Sequence, residues 1–305
     1  MNILSETDGQ TCNKFWQYIY YLNIAVKSNT TLYVQLPDKT IEDYPNLNNN
    51  NFIKFPFYFT KLTKVIGFEK SLWFTHMLTV LFLNNYVRFI LHWLSFKKIN
   101  FLSGKPTWNQ EADYSNLLPL LRNLFSLAQE KRKPVDKAIK KWGDKTLIGV
   151  HIRGGDYKTW RGGKYYFDVS VYINYMRKIQ TLLNEKCVFY ISTNEKISES
   201  DFAGFDVIKI DNIGASQDLY GLSCCKYLIG TVSSFNAWVS FVWEIPLYTI
   251  ETSEKYDEMS LSDFSTVVCY NHKKNGFRFP WNQFFFKPRH PWLYKHSNNE
   301  TIEKK

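Results

Sequence analysis

The sequence lacks most of the short motifs by which nucleotide-dependent enzymes are recognised. It has no Walker-type Gly-Lys-Ser/Thr loop, and no GxGxxG follows the first predicted strand. No two aspartates stand in a D-x-D pair, which argues against a metal-dependent sugar transferase. The five cysteines are scattered and have no metal-ligand spacing, so we expect no bound metal and a reducing compartment.

Signals for secretion and membrane insertion are also missing. The N-terminal segment MNILSETDGQ has neither the basic head nor the apolar centre of a secretory signal. The most apolar stretch, 71–96, contains Asn84, Asn85 and Arg88, which would be costly inside a bilayer. We expect buried helices there, although Lys97 and the lysine after it leave a peripheral membrane contact open. The sequence therefore predicts a soluble cytoplasmic protein.

The net charge of +10 indicates an anionic partner, unless lysine is simply abundant in this chain. Phosphate, nucleic acid and a membrane surface all fit such a charge. Aromatic residues make up 18% of the chain, but they do not alternate with a Lys/Arg stripe, and no nucleic-acid-binding motif is present. We therefore expect no nucleic-acid partner.

The order of predicted elements indicates an α/β protein. The chain begins strand, loop, helix, strand, and its second half alternates strands with amphipathic helices, as in doubly wound folds. In that half, strands are predicted at 146–152, 186–193, 206–211, 227–230 and 246–251. Helices are predicted at 169–183, 216–226 and 233–243.

The strand TLIGVHI ends in polar residues and two glycines. His151 and Arg153 are two residues apart, so their side chains share one face of the strand. Arginine offers a planar fork of donors that suits a phosphate. Asp156, just after the glycines, could brace the loop or contact a ligand. The alternative is a strand-end salt bridge between Arg153 and Asp156 with no ligand.

Two other strand ends carry polar residues. In GTVSSFNAW, Ser233 or Ser234 is placed to cap the following helix, whose N-terminal N–H groups and dipole favour a phosphate. An ordinary cap without a ligand is the alternative. Thr193 ends the strand before ISTNE and is a weaker signal. Ligands of doubly wound folds bind at such strand ends, so the sequence predicts a site for a diphosphate, and hence a nucleotide or nucleotide sugar.

Three segments resemble the GDP-fucose-dependent fucosyltransferases. HIRGGDY (151–157) is similar to the H-x-R-R-G-D-Y motif of α1,2-fucosyltransferases and to the H-x-R segment of protein O- and α1,6-fucosyltransferases. Residues 218–239 resemble the protein O-fucosyltransferase segment with D-L-Y, I-G and V-S-S-F, and residues 8–17 resemble the N-terminal Gly/Asn loop. The second arginine of the α1,2 motif is Gly154 here, which puts that linkage in doubt.

The resemblance implies a GT-B-like fold, in which two Rossmann-like domains face a cleft. Residues 1–142 would form the acceptor-side domain, and residues 143–305 the GDP-sugar-binding domain, with a tail that packs back on the first. It implies an inverting transfer of fucose from GDP-fucose to a glycan or protein hydroxyl, with neither a metal nor a further cofactor. The alternatives are another GDP-deoxyhexose or GDP-mannose as donor, and a nucleotide-sugar- or glycan-binding module without turnover.

Roles follow from the resemblance at matched positions. Arg153 would bind the β-phosphate and assist its departure, because a metal-free site needs a cation there. His151 would contact the nucleoside end, and Asp218 would accept from guanine. The diphosphate and guanosine would be held by three consecutive residues: Ser233, Ser234 and Phe235.

The remaining candidate residues lie mostly near the N-terminus. Gly9 and Asn13 would line the opposite side of the cleft. Asp8 is the candidate general base, since an acidic residue has this place in one branch of the protein O-fucosyltransferases, and Asp156 is the alternative. The aromatic run 277–294 would pack a tail across the domain junction, or rim an acceptor site.

Overall fold

A computed structural model of the chain describes residues 2–6, 9–34, 39–55, 65–66, 100–103, 114–267 and 294–296. The predicted buried helices in 71–96, most of the aromatic run 277–294 and Asp8 lie outside these residues. The chain divides into two compact units, residues 1–126 and 127–305.

The first unit contains a four-stranded parallel sheet. Its strands are β1 (Asn2–Glu6), β2 (Leu32–Val34), β3 (Ile53–Lys54) and β4 (Asn100–Ser103), in the order β3-β2-β1-β4. Helix α1 (Thr11–Lys27) connects β1 to β2, and α2 (Leu118–Leu124) follows β4. The predicted strand–helix–strand start is thus confirmed. Phe15 of α1 is fully buried, and its ring centroid lies 4.7 Å from that of Phe125.

The second unit is built on a seven-stranded sheet in the order β11-β10-β9-β8-β5-β6-β7. Five strands are parallel: β5 (Thr146–Ile152), β6 (Cys187–Thr193), β7 (Val207–Lys209), β8 (Tyr227–Thr231) and β9 (Leu247–Ile250). Two antiparallel strands complete it: β10 (Ser265–Val267) and β11 (Tyr294–His296). Its helices are α3 (Gln129–Lys140), α4 (Val169–Leu183), α5 (Ala215–Ser223) and α6 (Ser234–Trp243).

Helix α3 explains why the second unit starts before residue 143. The Gln217 side chain of α5 donates to the Lys131 carbonyl at 3.0 Å, and the Tyr220 hydroxyl donates to Asp136 at 2.7 Å. These bonds fasten α3 to α5, so the unit begins at residue 127. The sequence placed the boundary at 142–143 because only the composition change near that point was visible.

The alternation of side chains along β5 assigns its two faces. Ile148, Val150 and Ile152 belong to the apolar cluster that includes Tyr172 and Met176 of α4. Successive strand residues point to opposite faces, so Gly149, His151 and Arg153 lie on the other side. There Gly149 leaves room for α5: a Cβ at this position would lie 2.6–2.7 Å from the side chains of Leu228 and Leu222.

The strand order places a crevice beside β5. From β5 the chain proceeds to β6 and β7 in one direction, and then returns to build β8 and β9 on the other side. Connections therefore leave the carboxyl ends of β5 and β8 in opposite directions, which is the topological switch point where ligands of open α/β sheets bind. Arg153 follows β5 directly, and Ser233 follows β8 after one residue.

Gly221 should be intolerant of a side chain, although it lies in a helix. A Cβ there would lie 2.1 Å from Cζ of the fully buried Tyr190. We expect Gly221→Ala to destabilise the protein by about 1–3 kcal/mol through overpacking, despite alanine's higher helix propensity. Gly214→Ala is the control, because the nearest atoms there are 3.9 Å away. Equal melting temperatures for the two variants would contradict this packing.

Candidate functional site

The site is built at the carboxyl ends of β5 and β8. His151 of β5 pairs in register with Gly230 of β8, so the segments that follow the two strands start side by side. Ser233 caps α6, as the sequence predicts: its hydroxyl accepts the Phe235 N–H at 3.1 Å. Ser234 is the first residue of α6 and is half-buried. The N-terminus of a ten-residue helix therefore opens at the crevice.

His151 is buried and stacks on Phe235, with ring centroids 4.7 Å apart and an interplanar angle of 25°. Burial and, to a smaller degree, the charge of Arg153 together lower the pKa of His151 to about 3, and the effect of Asn236 partly opposes them. The imidazole is neutral at physiological pH, so it offers hydrogen bonding and a ring face rather than a second positive charge. Within the described residues, its Nδ1 atom is buried without a hydrogen-bond partner.

Arg153 forms the strand-end ion pair that the sequence left open. Its Nη2 donates to Asp156 Oδ1 at 2.8 Å; the arginine side chain is 17% exposed and the aspartate side chain 54% exposed. The guanidinium also lies over the Tyr157 ring, with 5.2 Å from Cζ to the centroid. The bond to Asp156 uses one terminal nitrogen of a group that carries five N–H donors. Asp156 thus forms the strand-end salt bridge that was the predicted alternative to a ligand contact, and its predicted part in donor binding stays a prediction.

Tyr157 is a site residue that the sequence interpretation missed. Its hydroxyl donates to the Val232 carbonyl at 2.7 Å, and its ring centroid lies 4.7 Å from that of Trp160. Burial raises the pKa of Tyr157 to about 12, so the phenol keeps its proton at neutral pH. The signal was present in the motif, since Tyr157 is the last residue of HIRGGDY.

The two glycines after Arg153 are held by the turn that follows β6. The Gly154 N–H donates to Asn194 Oδ1 at 2.8 Å, and the Gly155 N–H donates to Glu195 Oε1 at 3.1 Å. Glu195 also forms an ion pair with Lys158 at 2.9 Å, which holds the pKa of its carboxyl below the usual value. Asn194 and Glu195 follow β6, whose end was only a weak indication of a binding site in the sequence.

Glu195 gives a physical reason for the departure at Gly154. A Cβ at position 154 would lie 2.0 Å from Glu195 Cδ, so any larger residue would displace the carboxylate. Gly155 has a φ of +55°, a conformation that favours glycine. The space that a second arginine would need at position 154 is therefore occupied by the Glu195 side chain.

Asp218 lies on α5, which covers the same sheet face as His151. Burial raises the pKa of Asp218 to about 7, and the nearby hydroxyl groups of Ser192 and Tyr190 partly oppose the shift. Ser192 pairs in register with His151, so Asp218 is close to the strand that carries it. At neutral pH this carboxyl is present in both protonation states, and it can donate or accept a hydrogen bond.

The structure brings some predicted residues together and separates others. His151, Arg153, Asp156, Ser233 and Phe235 are joined by the direct contacts above, or by adjacent backbone. Thr193 is not on their face, because it pairs in register with Ile152, and its hydroxyl accepts the Glu195 N–H at 3.1 Å.

Two predicted residues belong to the first unit. Gly9 has a φ of +78°, and a Cβ there would lie 2.3 Å from Nδ2 of Asn13. Gly9 therefore packs closely against the first turn of α1. Their predicted part in donor binding stays a prediction.

The residues that the structure describes contain no group of three or more His, Cys, Asp or Glu side chains that could hold a metal ion. Among the described helices, none combines the length and apolar character needed to cross a membrane.

The fold is similar to that of solved GDP-fucose fucosyltransferases. The chain is similar to POFUT1 without ligand (TM-score 0.52, 8% identity, covering 82% of this chain and 97% of that one) and to POFUT1 in complex with GDP (TM-score 0.52, 10% identity, 82% and 99%). This similarity confirms the predicted α/β, GT-B-like fold class. No protein-family model and no curated protein sequence matches the chain.

A second solved structure is the α-1,6-fucosyltransferase NodZ soaked with GDP-fucose. It matches with a TM-score of 0.48 and 14% identity over 83% of this chain and 95% of that one. NodZ is from Bradyrhizobium.

Gly154 and Glu195 should be energetically coupled. We expect Gly154→Ala to cost about 1–3 kcal/mol of stability through overpacking, and less when Glu195→Ala has already emptied the space. A double-mutant cycle by urea unfolding should give a coupling energy of at least about 0.5 kcal/mol. The control pairs Gly154→Ala with Lys196→Ala, an exposed neighbour. If the Gly154 and Glu195 substitutions are additive, the described contact is wrong.

Asp218 should make stability depend on pH. Its pKa is higher in the folded protein than in the unfolded chain, so its stabilising effect is complete below about pH 4 and is lost as pH rises to about 7. Relative to wild type, Asp218→Asn should therefore gain up to about 1.4 kcal/mol of stability per pH unit across this window. Urea unfolding at several pH values measures the difference. Asp257→Asn, at an exposed position, should show no such rise, and a flat Asp218→Asn difference would contradict the shift.

Proposed function

We propose that the protein is a glycosyltransferase that moves fucose from GDP-fucose to a hydroxyl of a glycan or protein. The observation that carries the proposal is the pairing of Arg153 with the Ser233-capped N-terminus of α6 at the switch point between β5 and β8. A guanidinium and a helix N-terminus both favour phosphate oxygens. Such a pair suits a diphosphate better than a single anion.

The chemistry around Arg153 supports a sugar nucleotide. His151 is neutral and carries a buried Nδ1 that lacks a hydrogen-bond partner among the described residues, as expected where a ligand supplies one. The half-buried Phe235 ring is available to pack on guanosine, and Asp218 has a carboxyl that can accept from guanine when ionised. POFUT1 and NodZ were both solved with GDP and with GDP-fucose.

In the proposed reaction, the acceptor oxygen forms a bond to C1 of fucose while the bond from C1 to the phosphate oxygen breaks. GDP departs with the electron pair of the broken bond, and Arg153 stabilises the charge that develops on its β-phosphate. Attack opposite the leaving group inverts the configuration at C1, and no metal takes part. The acceptor proton passes to Asp8, or to Asp156 as the alternative.

A non-catalytic nucleotide-sugar-binding module is the second candidate, and the ion pair between Arg153 and Asp156 favours it. In that case the site would bind GDP without turnover. GDP-fucose hydrolysis or transfer, followed as GDP release, separates the two candidates. GDP-mannose and other GDP-deoxyhexoses are tested in the same assay, because the donor sugar is less constrained than the nucleotide.

A thermal-shift panel tests the donor class directly. A ligand that binds only the folded state raises the melting temperature by mass action. GDP should raise it at concentrations where ADP, UDP and CDP do not, because Asp218 is proposed to contact guanine. Equal shifts for all four nucleotides would leave only a general anion site, and no shift with GDP would contradict the proposed function.

Replacing the cation should affect transfer strongly. Arg153→Ala should lower kcat/KM for GDP-fucose by about 10²–10³-fold, as for the loss of one preorganised donor at a developing anion. Arg177→Ala is the matched control, since Arg177 is an exposed residue of α4. Near-normal turnover by Arg153→Ala would remove Arg153 from the mechanism.

A further inference from the structure

The Tyr157 side chain contacts both strand ends that form the crevice. Its ring lies under the Arg153 guanidinium at the end of β5, 5.2 Å from Cζ to the ring centroid. Its hydroxyl donates to the Val232 carbonyl at 2.7 Å, and Val232 joins β8 to the α6 cap, Ser233. One side chain therefore connects the cation on one side of the crevice with the backbone that leads into the helix on the other.

The surroundings of Tyr157 fix its ring in place. The residue is 9% exposed, and Trp160 packs beside it with 4.7 Å between ring centroids. Ser233 follows Val232 in the chain, and its hydroxyl accepts the Phe235 N–H at 3.1 Å. Contacts therefore link the Arg153 guanidinium to the Tyr157 ring, the Tyr157 hydroxyl to the Val232 carbonyl, and the adjacent Ser233 to the first turn of α6.

The backbone bonds beside Arg153 do not by themselves position its guanidinium. Gly154, Gly155 and Asp156 separate Arg153 from Tyr157, and the N–H groups of the two glycines are bonded to Asn194 and Glu195. Those bonds hold the main chain of the turn, whereas the distance from the guanidinium to α6 depends on side-chain contacts. Tyr157 and the ion pair with Asp156 both act on the guanidinium, but Tyr157 also contacts β8.

We propose that Tyr157 is a positioning residue that sets the spacing between the Arg153 guanidinium and the capped N-terminus of α6, and thereby matches the site to a diphosphate. The proposal rests on the proposed function, because it assumes that these two groups hold the phosphates of GDP. In this proposal, the hydrogen bond from the Tyr157 hydroxyl to the Val232 carbonyl contributes to ligand selection as well as to folding.

The proposal predicts a difference between two ligands. A diphosphate contacts both groups at once, so its affinity depends on their spacing, as for any ligand held at two points. A monophosphate contacts one group at a time and is much less sensitive to spacing. Loss of the Tyr157 hydroxyl should therefore weaken GDP binding more than GMP binding, whereas a general loss of stability would affect both ligands alike.

The test compares wild type with Tyr157→Phe, which keeps the ring under Arg153 and removes only the hydroxyl. Dissociation constants for GDP and GMP are measured by calorimetry, and the readout is the ratio of GMP to GDP constants. We expect this ratio to fall by about three- to tenfold in Tyr157→Phe, the range for one hydrogen bond. A ratio equal to that of wild type would overturn the proposal.

Tyr175→Phe is the matched control. The Tyr175 hydroxyl donates to the Thr252 carbonyl at 2.9 Å, so this variant loses a similar bond in the same unit without touching Arg153 or Val232. It should lower stability and leave the ratio unchanged. If the ratio falls equally in Tyr175→Phe, the effect is a general loss of stability and the proposal is wrong.

A rescue variant covers the case in which Tyr157→Phe does not fold. With 4-aminophenylalanine at position 157, the ring carries an N–H donor in place of the hydroxyl, and the preference for GDP should be retained. Loss of the preference in this variant would contradict the proposal.

Binding of GDP and GMP to the wild-type protein distinguishes failure of the proposed function from failure of this inference alone. No binding of GDP, or equal binding of GDP and GMP, would end the proposed function and this inference with it. A clear preference for GDP in wild type that Tyr157→Phe retains would end this inference alone.

Discussion

The proposed diphosphate site depends on how a single cation is held at the end of a buried strand. Arg153 follows β5 and precedes a turn of two glycines. Its guanidinium is held by an ion pair with Asp156 and by contact with the face of the Tyr157 ring. The reversal of strand order between β5 and β8 brings the start of α6 beside it. Neither the cation nor the helix N-terminus alone indicates a diphosphate site, and it is their pairing across one crevice that we propose to bind a diphosphate.

Arg153 is the cation that directly follows β5, and it is paired with Asp156. Burial and the adjacent guanidinium keep His151 neutral, and Lys158 is paired with Glu195. A charge in a partly buried site interacts more strongly than one in water. A departing diphosphate would therefore be stabilised by one well-placed guanidinium together with backbone N–H groups.

Much of the second unit follows from its sequence, because buried parallel strands read as continuous apolar runs. The predicted bounds of β5 and α4 match the structure, and Ser233 caps α6 as predicted. Strands β10 and β11 were not predicted, because they add to the sheet as antiparallel strands outside the alternation of strands and helices on which the other predictions were based.

The candidate site was predictable only in part. His151, Arg153 and Ser233 could be found because strand ends carry a local sequence pattern. Glu195 and Tyr157 could not be assigned roles in the same way, since those roles depend on contacts across strands. Thr193 was predicted to be a site residue because it ends a strand. It pairs in register with Ile152, so its side chain lies on the sheet face opposite to that of His151.

The most direct test of the central claim is a crystal structure of the protein with GDP. We expect the phosphates to lie in the crevice between β5 and β8, within hydrogen-bonding distance of the Arg153 guanidinium and of backbone N–H groups at the start of α6. A nucleotide bound elsewhere, with Arg153 still held by Asp156, would contradict it.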